Sequence, residues 1–345
     1  MISDETERMF YHAVAVHTGG DYATIKRLRR DAESWRAAHE KRSTGERTAT
    51  PEASWEKLKQ QNIQLLLRED ECFPSLLREI PYPPFGIYIK GVLPKPDQLA
   101  IAIVGTRRAT PDGKSLARRF AAELARAEAA VISGLAFGID SAAHEGCLEV
   151  CGTTIAVLAC GLVEIYPRNN EPLAKKILAC GGAIISEYPP EMPAYPSRFL
   201  ERNRIVSGLS KGTLVIEAPE RSGALATARF ALEQNRDVFV TPGPVMHPNF
   251  KGSHALIRQG AELVTQPEDI LMSYGVVKEK TAAVKYAGTP EEQIVLEFLA
   301  AQPEPADVDK IVAATKLEPR TANQALSFLL IKGAVTEIGA GYMIH

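Results

Sequence analysis

Ile101-Ala102-Ile103-Val104-Gly105-Thr106-Arg107-Arg108-Ala109-Thr110-Pro111 is the stretch whose reading decides the fold. Four apolar residues stop at a glycine, two arginines follow, and Thr110 before Pro111 reads as a helix N-cap with proline at the first helical position. A helical pattern then runs through Phe120, Leu124 and Ala125. A second apolar run, 130–133, leads into Gly134-Leu135-Ala136-Phe137-Gly138 and another helix holding Asp140 and His144. Strand, turn and helix thus occur twice, with glycines and arginines where the strands end. In a parallel sheet those carboxyl ends form the ligand crevice. Helix N-termini leave N–H groups unpaired there, so the expected ligand is an anion, most simply a phosphate.

Neither common nucleotide fingerprint is present. Gly105-Thr106-Arg107-Arg108 lacks the second glycine of G-x-G-x-x-G, and the next strand ends in Ser133-Gly134, not in an acidic residue that would hold a ribose. Gly113-Lys114-Ser115 looks like the tail of a P-loop, but Arg108 occupies the position that must be glycine. No nucleotide cofactor is expected. An arginine pair on the turn points to phosphate held by side chains as well as backbone.

Outward from this stretch, apolar runs bounded by glycine recur at 101–104, 130–133, 154–159, 183–186, 213–217, 237–241 and 261–264, with helical patterns between them. That alternation predicts an α/β fold, an extended Rossmann-like parallel sheet covered on both faces. Residues 1–55 read as a small helical domain and 56–275 as the Rossmann domain, which opens with strands near 63–67 and 85–90 ahead of the alternating pattern. Residues 41–51 are polar without periodicity and read as a loop, and 276–288 as a charged linker. Thr289-Pro290-Glu291-Glu292 is a capping box. Two further helices, 306–315 and 319–332, precede an alternating stretch around Gly339-Ala340-Gly341, so residues 289–345 suggest a winged-helix-like module.

Net charge is −2 and hydrophobic content 45%, ordinary for a soluble globular chain of 345 residues. Positive charge is local. Residues 105–119 carry Arg107, Arg108, Lys114, Arg118 and Arg119 against Asp112 alone, and 198–211 carry Arg198, Arg202, Arg204 and Lys211 against Glu201. Such clustering suits a localised phosphate site. Cys72, Cys147, Cys151, Cys160 and Cys180 form no CxxC, which suggests reduced thiols in a cytoplasmic protein and no metal. No signal peptide and no membrane-spanning run is expected.

The candidate contacts follow the strand ends. Gly105, Thr106, Arg107 and Arg108 form the first turn, and Ser133, Gly134 and Gly138 the second. Asp140 and His144 share a helix face at i and i+4, where they orient backbone turns and each other. Arg168, in Tyr166-Pro167-Arg168-Asn169-Asn170, falls on the same rim. Phe199, Arg202, Asn203 and Arg204 combine an aromatic with cations, the combination that single-stranded nucleic acid requires for stacking and phosphate contact. The alternative is that Phe199 is core and that Arg202 and Arg204 make internal salt bridges; Arg204, between Asn203 and Ile205, suits a structural role as well as a ligand-facing one. Ser222 caps a helix beginning at Gly223, and Lys251 opens the next. No nucleophile stands at motif spacing from a base, so the chain does not read as an enzyme.

Eight segments in this order resemble the DNA-processing protein A (DprA/Smf) family: 104–107, 133–144, 166–170, 186–189, 202–210, 217–228, 242–243 and 252–260, within about 60–270. The resemblance implies an extended Rossmann domain that binds single-stranded DNA without sequence preference and dimerises through that domain. It further implies loading of the RecA recombinase during natural transformation, with no catalytic activity. Carried onto matching positions, Arg107 is the chief phosphate contact, Arg168 a basic contact and Phe199 the aromatic. Asp112 stands where the family has an aromatic, Leu200 where it has proline, and His254 where it has asparagine. Residues 1–50 correspond to the family's small helical domain, related to sterile-alpha or helix-hairpin-helix modules. The competing class is a phosphoribohydrolase-like enzyme on the same core, but Pro242-Gly243-Pro244 lacks its P-G-G-x-G-T-x-x-E signature. A DNA-binding regulator acting through the C-terminal module is disfavoured, because 319–332 offers only Arg320 and Lys332.

Overall fold

The computed structural model describes residues 4–42, 50–276, 288–302, 305–338 and 341–344. Most of the expected 41–51 loop, most of the 276–288 linker, and Gly339-Ala340 of the expected hairpin turn lie outside the described residues. The chain divides into two compact units, Met1–Val277 and Lys278–His345.

The first unit opens with helices α1 (Glu5–Thr18), α2 (Tyr22–Arg30), α3 (Trp35–Arg42) and α4 (Pro51–Gln60). Helix α4 runs through the boundary expected at residue 55. Its start is marked by Thr50, whose side chain accepts from the Ala53 N–H, and by Pro51 at the first helical position. The four helices are not a free-standing bundle. Tyr11 and Trp35 pack with Phe85 and Tyr88 in one apolar cluster, and Arg8 pairs with buried Asp70 at 3.1 Å.

Then follow β1 (Gln64–Leu67), α5 (Ser75–Arg78), β2 (Gly86–Gly91), β3 (Ala100–Val104), α6 (Pro111–Arg126), β4 (Ala130–Ser133), α7 (Ile139–Glu149) and β5 (Thr154–Val157). The chain continues through α8 (Glu171–Ala179), β6 (Ala183–Ser186), α9 (Pro196–Gly208), β7 (Gly212–Val215), α10 (Gly223–Glu233), β8 (Asp237–Val240), α11 (Lys251–Arg258), β9 (Glu262–Leu263) and α12 (Pro267–Ser273). The strands form one sheet in the order β1-β2-β6-β5-β4-β3-β7-β8-β9. β1 and β2 join antiparallel, and the rest are parallel.

Strand alternation divides the core. Ile101 and Ile103 of β3 face Phe120 and Leu124 of α6, while Ala102 and Val104 belong to the cluster holding Ile205 and Val206 of α9. Both faces are therefore buried, and the strand reads as a continuous apolar run. β3 lies between β4 and β7, so the chain winds outward from β3 one way and then the other. A crevice opens at such a switch point.

The second unit has α13 (Pro290–Ala300), α14 (Val308–Thr315), α15 (Pro319–Ile331) and an antiparallel pair, β10 (Val335–Ile338) and β11 (Gly341–Ile344). Thr289 and Glu292 close the expected capping box. Lys332 bonds the buried Glu292 at 3.0 Å, so one of the two cations noted near α15 is held inside its own domain.

Candidate nucleic-acid interface

At the switch point the carboxyl ends of β3, β4 and β7 leave a cleft of about 520 Å³, walled by α9 and by the N-terminus of α10. The turn after β3 is fixed from below. The Thr106 N–H donates to the Glu217 carbonyl at 2.7 Å, and the Thr110 N–H to a Glu217 carboxylate oxygen at 3.1 Å. The Thr110 hydroxyl donates to the other oxygen. Asn249 Nδ2 bridges the same carboxylate at 2.8 Å and the Arg108 carbonyl at 3.0 Å. Held at both ends, the turn lifts Arg107 and Arg108 into solvent. The expectation of unoccupied N–H groups at the start of α6 is revised here, because the fully buried Glu217 carboxylate sits against it.

The second turn is shaped by α7. Gly138 has φ +83°, a conformation that glycine adopts without strain, and a side chain there would strike the Thr106 and Arg107 backbone. Ile139 N–H reaches the Thr106 carbonyl at 3.3 Å. Asp140 accepts from the Gly134 N–H at 3.1 Å and the Ala136 N–H at 3.4 Å. Burial raises its pKa, against the pull of Arg202 and of those two bonds. His144 does not bond Asp140. Its Nδ1 meets the Thr154 hydroxyl at 2.7 Å, and its Nε2 has no hydrogen-bond partner among the described residues. Burial lowers its pKa to about 3, which leaves a neutral core imidazole. Ser133 is also internal, donating to the Ile103 carbonyl at 2.6 Å.

Helix α9 supplies the opposite wall, and its arginines are mostly committed. Arg202 donates to the carbonyls of Gly134, at 2.7 Å, and of Val157. Its guanidinium lies so close to Gly134 that a Cβ there would sit 2.6 Å from it. Burial lowers the Arg202 pKa, with Asp140 opposing. Arg204 donates to both carboxylate oxygens of buried Glu187 at 2.7 Å. Burial disfavours its charge, but Glu187 outweighs that and raises its pKa. Of the two roles left open for Arg204, the structure gives the internal ion pair, and Arg202 acts as a brace between strand ends as well as a cleft wall. Asn203 reaches the Gly223 carbonyl at 3.2 Å and ties α9 to α10.

Phe199 is half-buried, between core and surface. The Arg107 guanidinium lies 4.9 Å from its ring centroid, and the exposed Tyr166 ring meets it edge-on at 5.5 Å. The cleft thus brings together Gly105, Thr106, Arg107, Arg108, Gly134, Phe199, Arg202, Asn203, Ser222 and Gly223 from the candidates. Ser133, Gly138, Arg168, Arg204 and Lys251 do not line it. Arg168 is exposed, 3.5 Å from Glu164, and Lys251 stands exposed at the start of α11. Three residues of consequence escaped the sequence reading: Arg221, Tyr166 and Glu217. Arg221, just ahead of the Ser222 cap, could have been found from its strand–turn–helix position. Tyr166 and Glu217 depend on contacts distant in sequence.

The family model of DNA recombination-mediator protein A matches residues 64–275, and that of the DprA winged helix domain residues 279–341. The chain belongs to the DNA-processing protein A family. Protein Smf of Escherichia coli K12 is 39% identical over 294 residues, 83% of this chain and 78% of that protein. The X-ray structure of DNA processing protein A from Streptococcus pneumoniae superposes with a TM-score of 0.61 at 34% identity, covering 73% of this chain and 85% of that one. The protein of the same name from Helicobacter pylori, whose structure describes a single-stranded DNA binding mode, gives 0.55 at 32% identity over 61% and 95%. As a member of this family the chain combines a Rossmann-like sheet with N-terminal helices and a C-terminal winged helix. None of the described helices is long and apolar enough to cross a membrane.

Proposed function

We propose that the cleft binds single-stranded DNA and that the protein is a recombination mediator. The observation that carries the reading is the pairing, across the cleft, of exposed Arg107 on the β3 turn with Phe199 on α9 at 4.9 Å. Arg107, Arg108 and Arg221 offer charge to the phosphates, the N-terminus of α10 at Ser222-Gly223 offers N–H groups, and Phe199 offers a ring face to a base. Arg168 and Lys251 extend the positive rim, Ser133, Gly138 and Arg202 hold its geometry, and Arg204 forms an ion pair with Glu187 away from it.

The action is mediation and not catalysis. The acid–base candidates are internal: Asp140 is bound to backbone N–H groups, Glu217 to Thr110 and Asn249, and His144 to Thr154. A homodimer through the Rossmann domain would double the rim along one strand. That strand, incoming during natural transformation, is protected and handed to RecA in the cytoplasm. The test measures fluorescence anisotropy with a labelled single strand and the matching duplex, then RecA strand exchange on DNA coated with a single-strand binder. Preference for the single strand and a shortened lag before exchange are expected. Equal binding of duplex with an unaltered lag, or base release from nucleoside monophosphates that vanishes in Glu217→Ala, would overturn the reading.

A further inference from the structure

Helix α2, in the N-terminal layer, carries four cations in nine residues and no acid: Lys26, Arg27, Arg29 and Arg30. Arg29 is turned inward, donating to the Ala32 carbonyl at 2.6 Å with its guanidinium over the Trp35 ring. The other three are exposed. Arg30 meets Asp31 at 3.0 Å in an exposed pair, and among the described residues no acid pairs with Lys26 or Arg27. A helix C-terminus favours cations, which accounts for Arg29 and Arg30. It does not account for Lys26, whose charge repels that of Arg30 at i,i+4. The stripe therefore works against the helix and suits an anionic ligand. We propose that this face of α2, together with the exposed ring of Tyr82, is a second contact surface for single-stranded DNA, engaged by the strand as it leaves the cleft. The inference rests on the reading above and extends the strand's path beyond the switch point.

Two observations favour a nucleic-acid strand over another polyanion. First, an aromatic ring accompanies the cations. Tyr82 is 55% exposed, and its ring meets that of Tyr22, the first residue of α2, edge-on at 6.4 Å. Tyr22, Lys26 and Arg30 stand at i, i+4 and i+8, so the ring contact and two of the cations share one side of the helix. Phosphates and a base face are served together by that combination, whereas an acidic protein surface would need only the charges. Second, α2 is fastened to the back of the helix that walls the cleft. The Gly19 carbonyl accepts from Arg198 at 2.8 Å, a side chain on Gly20 would come within 3.0 Å of Tyr188 and Pro189, and Tyr22 lies under the Arg204 guanidinium at 5.5 Å. Phe199 and Asn203 of the same helix line the cleft, and Arg198 and Arg204 do not. One helix, about 10–12 Å across, thus separates the two surfaces, and exposed Tyr195 and Leu200 lie at its cleft end. At about 3.4 Å or more per nucleotide, a few nucleotides cover that distance.

The experiment measures fluorescence anisotropy of the whole protein with thymidine strands of increasing length over a series of salt concentrations. The shortest strands whose binding still needs Arg107 report the cleft alone, and longer ones gain affinity from α2. The combined variant Lys26→Gln, Arg27→Gln, Arg30→Gln should abolish that gain and leave the short strands unchanged. On long strands it should flatten the logarithmic salt slope by up to about 2, the share of three phosphates at about 0.7 each. Tyr82→Ala should weaken long strands about fivefold or more, the lower end for base–aromatic stacking, and leave a long strand without bases unchanged. If Tyr82→Ala lowers the melting temperature, Tyr82→Leu, which keeps an apolar contact with Tyr22, gives the same comparison. Long-strand binding and slope equal to the parent's, or equal losses on short and long strands, overturn the proposal. So does a flattened slope with no effect of Tyr82→Ala, which would mark a surface for polyanions in general. Failure of the parent reading has a different signature, an Arg107→Ala protein that binds the short strands undiminished.

Discussion

In the turn after β3, Arg107 and Arg108 stand in solvent above a backbone pinned by Glu217 and Asn249. On α9 the arginines are folded into the protein. Arg198 donates to the Gly19 and Pro193 carbonyls and lies over the Tyr188 ring, Arg202 braces two strand ends, and Arg204 is paired with Glu187. Lys211 sits at the far end of β7, where its N–H meets the Ala100 carbonyl. By charge count the segments 105–119 and 198–211 are alike. They differ because a turn at a strand's carboxyl end has one side against the sheet and the other free, whereas a helix packed on the sheet points its long side chains inward along several directions. Local charge density therefore does not by itself identify a ligand surface, since a buried guanidinium counts the same as an exposed one.

The sharpest test of that contrast is Arg204→Ala. It strands the buried Glu187 carboxylate and should cost about 3–5 kcal/mol of stability, read by urea denaturation, while the protein that remains folded binds single-stranded DNA as before. Native stability with lost binding would place Arg204 on the ligand side and break the comparison. Arg107→Ala should do the reverse. Its stability should stay within about 0.5 kcal/mol of the parent, and strand binding should weaken by about 1.5–3 kcal/mol. The salt dependence should flatten by about 0.7 in the logarithmic slope, one phosphate's share on a single strand.

Acid separates the regions by another route. His144, lowered to about 3, and His12, lowered to about 4, are both held below their ordinary 6.5 by burial. Between about 6.5 and those values the unfolded chain takes up protons that the folded chain refuses, so stability falls as pH falls. The slope is up to about 1.4 kcal/mol per pH unit for each histidine. The urea midpoint should therefore drop between pH 7 and pH 5, while strand affinity of the folded protein changes little, because arginine does not titrate there. An unmoved midpoint would mean that these imidazoles are not buried as described. The smallest effect is expected from Arg168→Ala: its ion pair with Glu164 is exposed, so stability should change by less than about 0.5 kcal/mol, and binding should weaken less than in Arg107→Ala. A larger binding loss would move the centre of the site toward that loop.

Much of the fold was legible because a sheet buried on both faces writes itself as apolar runs between glycines. Thr110-Pro111 and Thr289-Pro290-Glu291-Glu292 marked helix starts by chemistry that is local. Thr50-Pro51 carries the same signal at the start of α4, but it stands at the end of a polar stretch without periodicity that reads as a loop. The site was legible where its residues lie at strand ends, as with Arg107, Gly134 and Ser222. It was not legible where the role depends on a distant partner. Nothing in the order of residues says that Glu187 waits for Arg204, that Thr154 and not Asp140 receives His144, or that Glu217 reaches the start of α6.

That last contact has a consequence for how an anion can be held. With the Glu217 carboxylate at the start of α6, a phosphate could enter there only by displacing a buried negative charge from the same chain. A nest of backbone amides fixes one phosphate at one point, as a socket does. Flexible guanidinium groups on a rigid turn work more like a handrail, gripping whichever phosphate comes past and releasing it to the next.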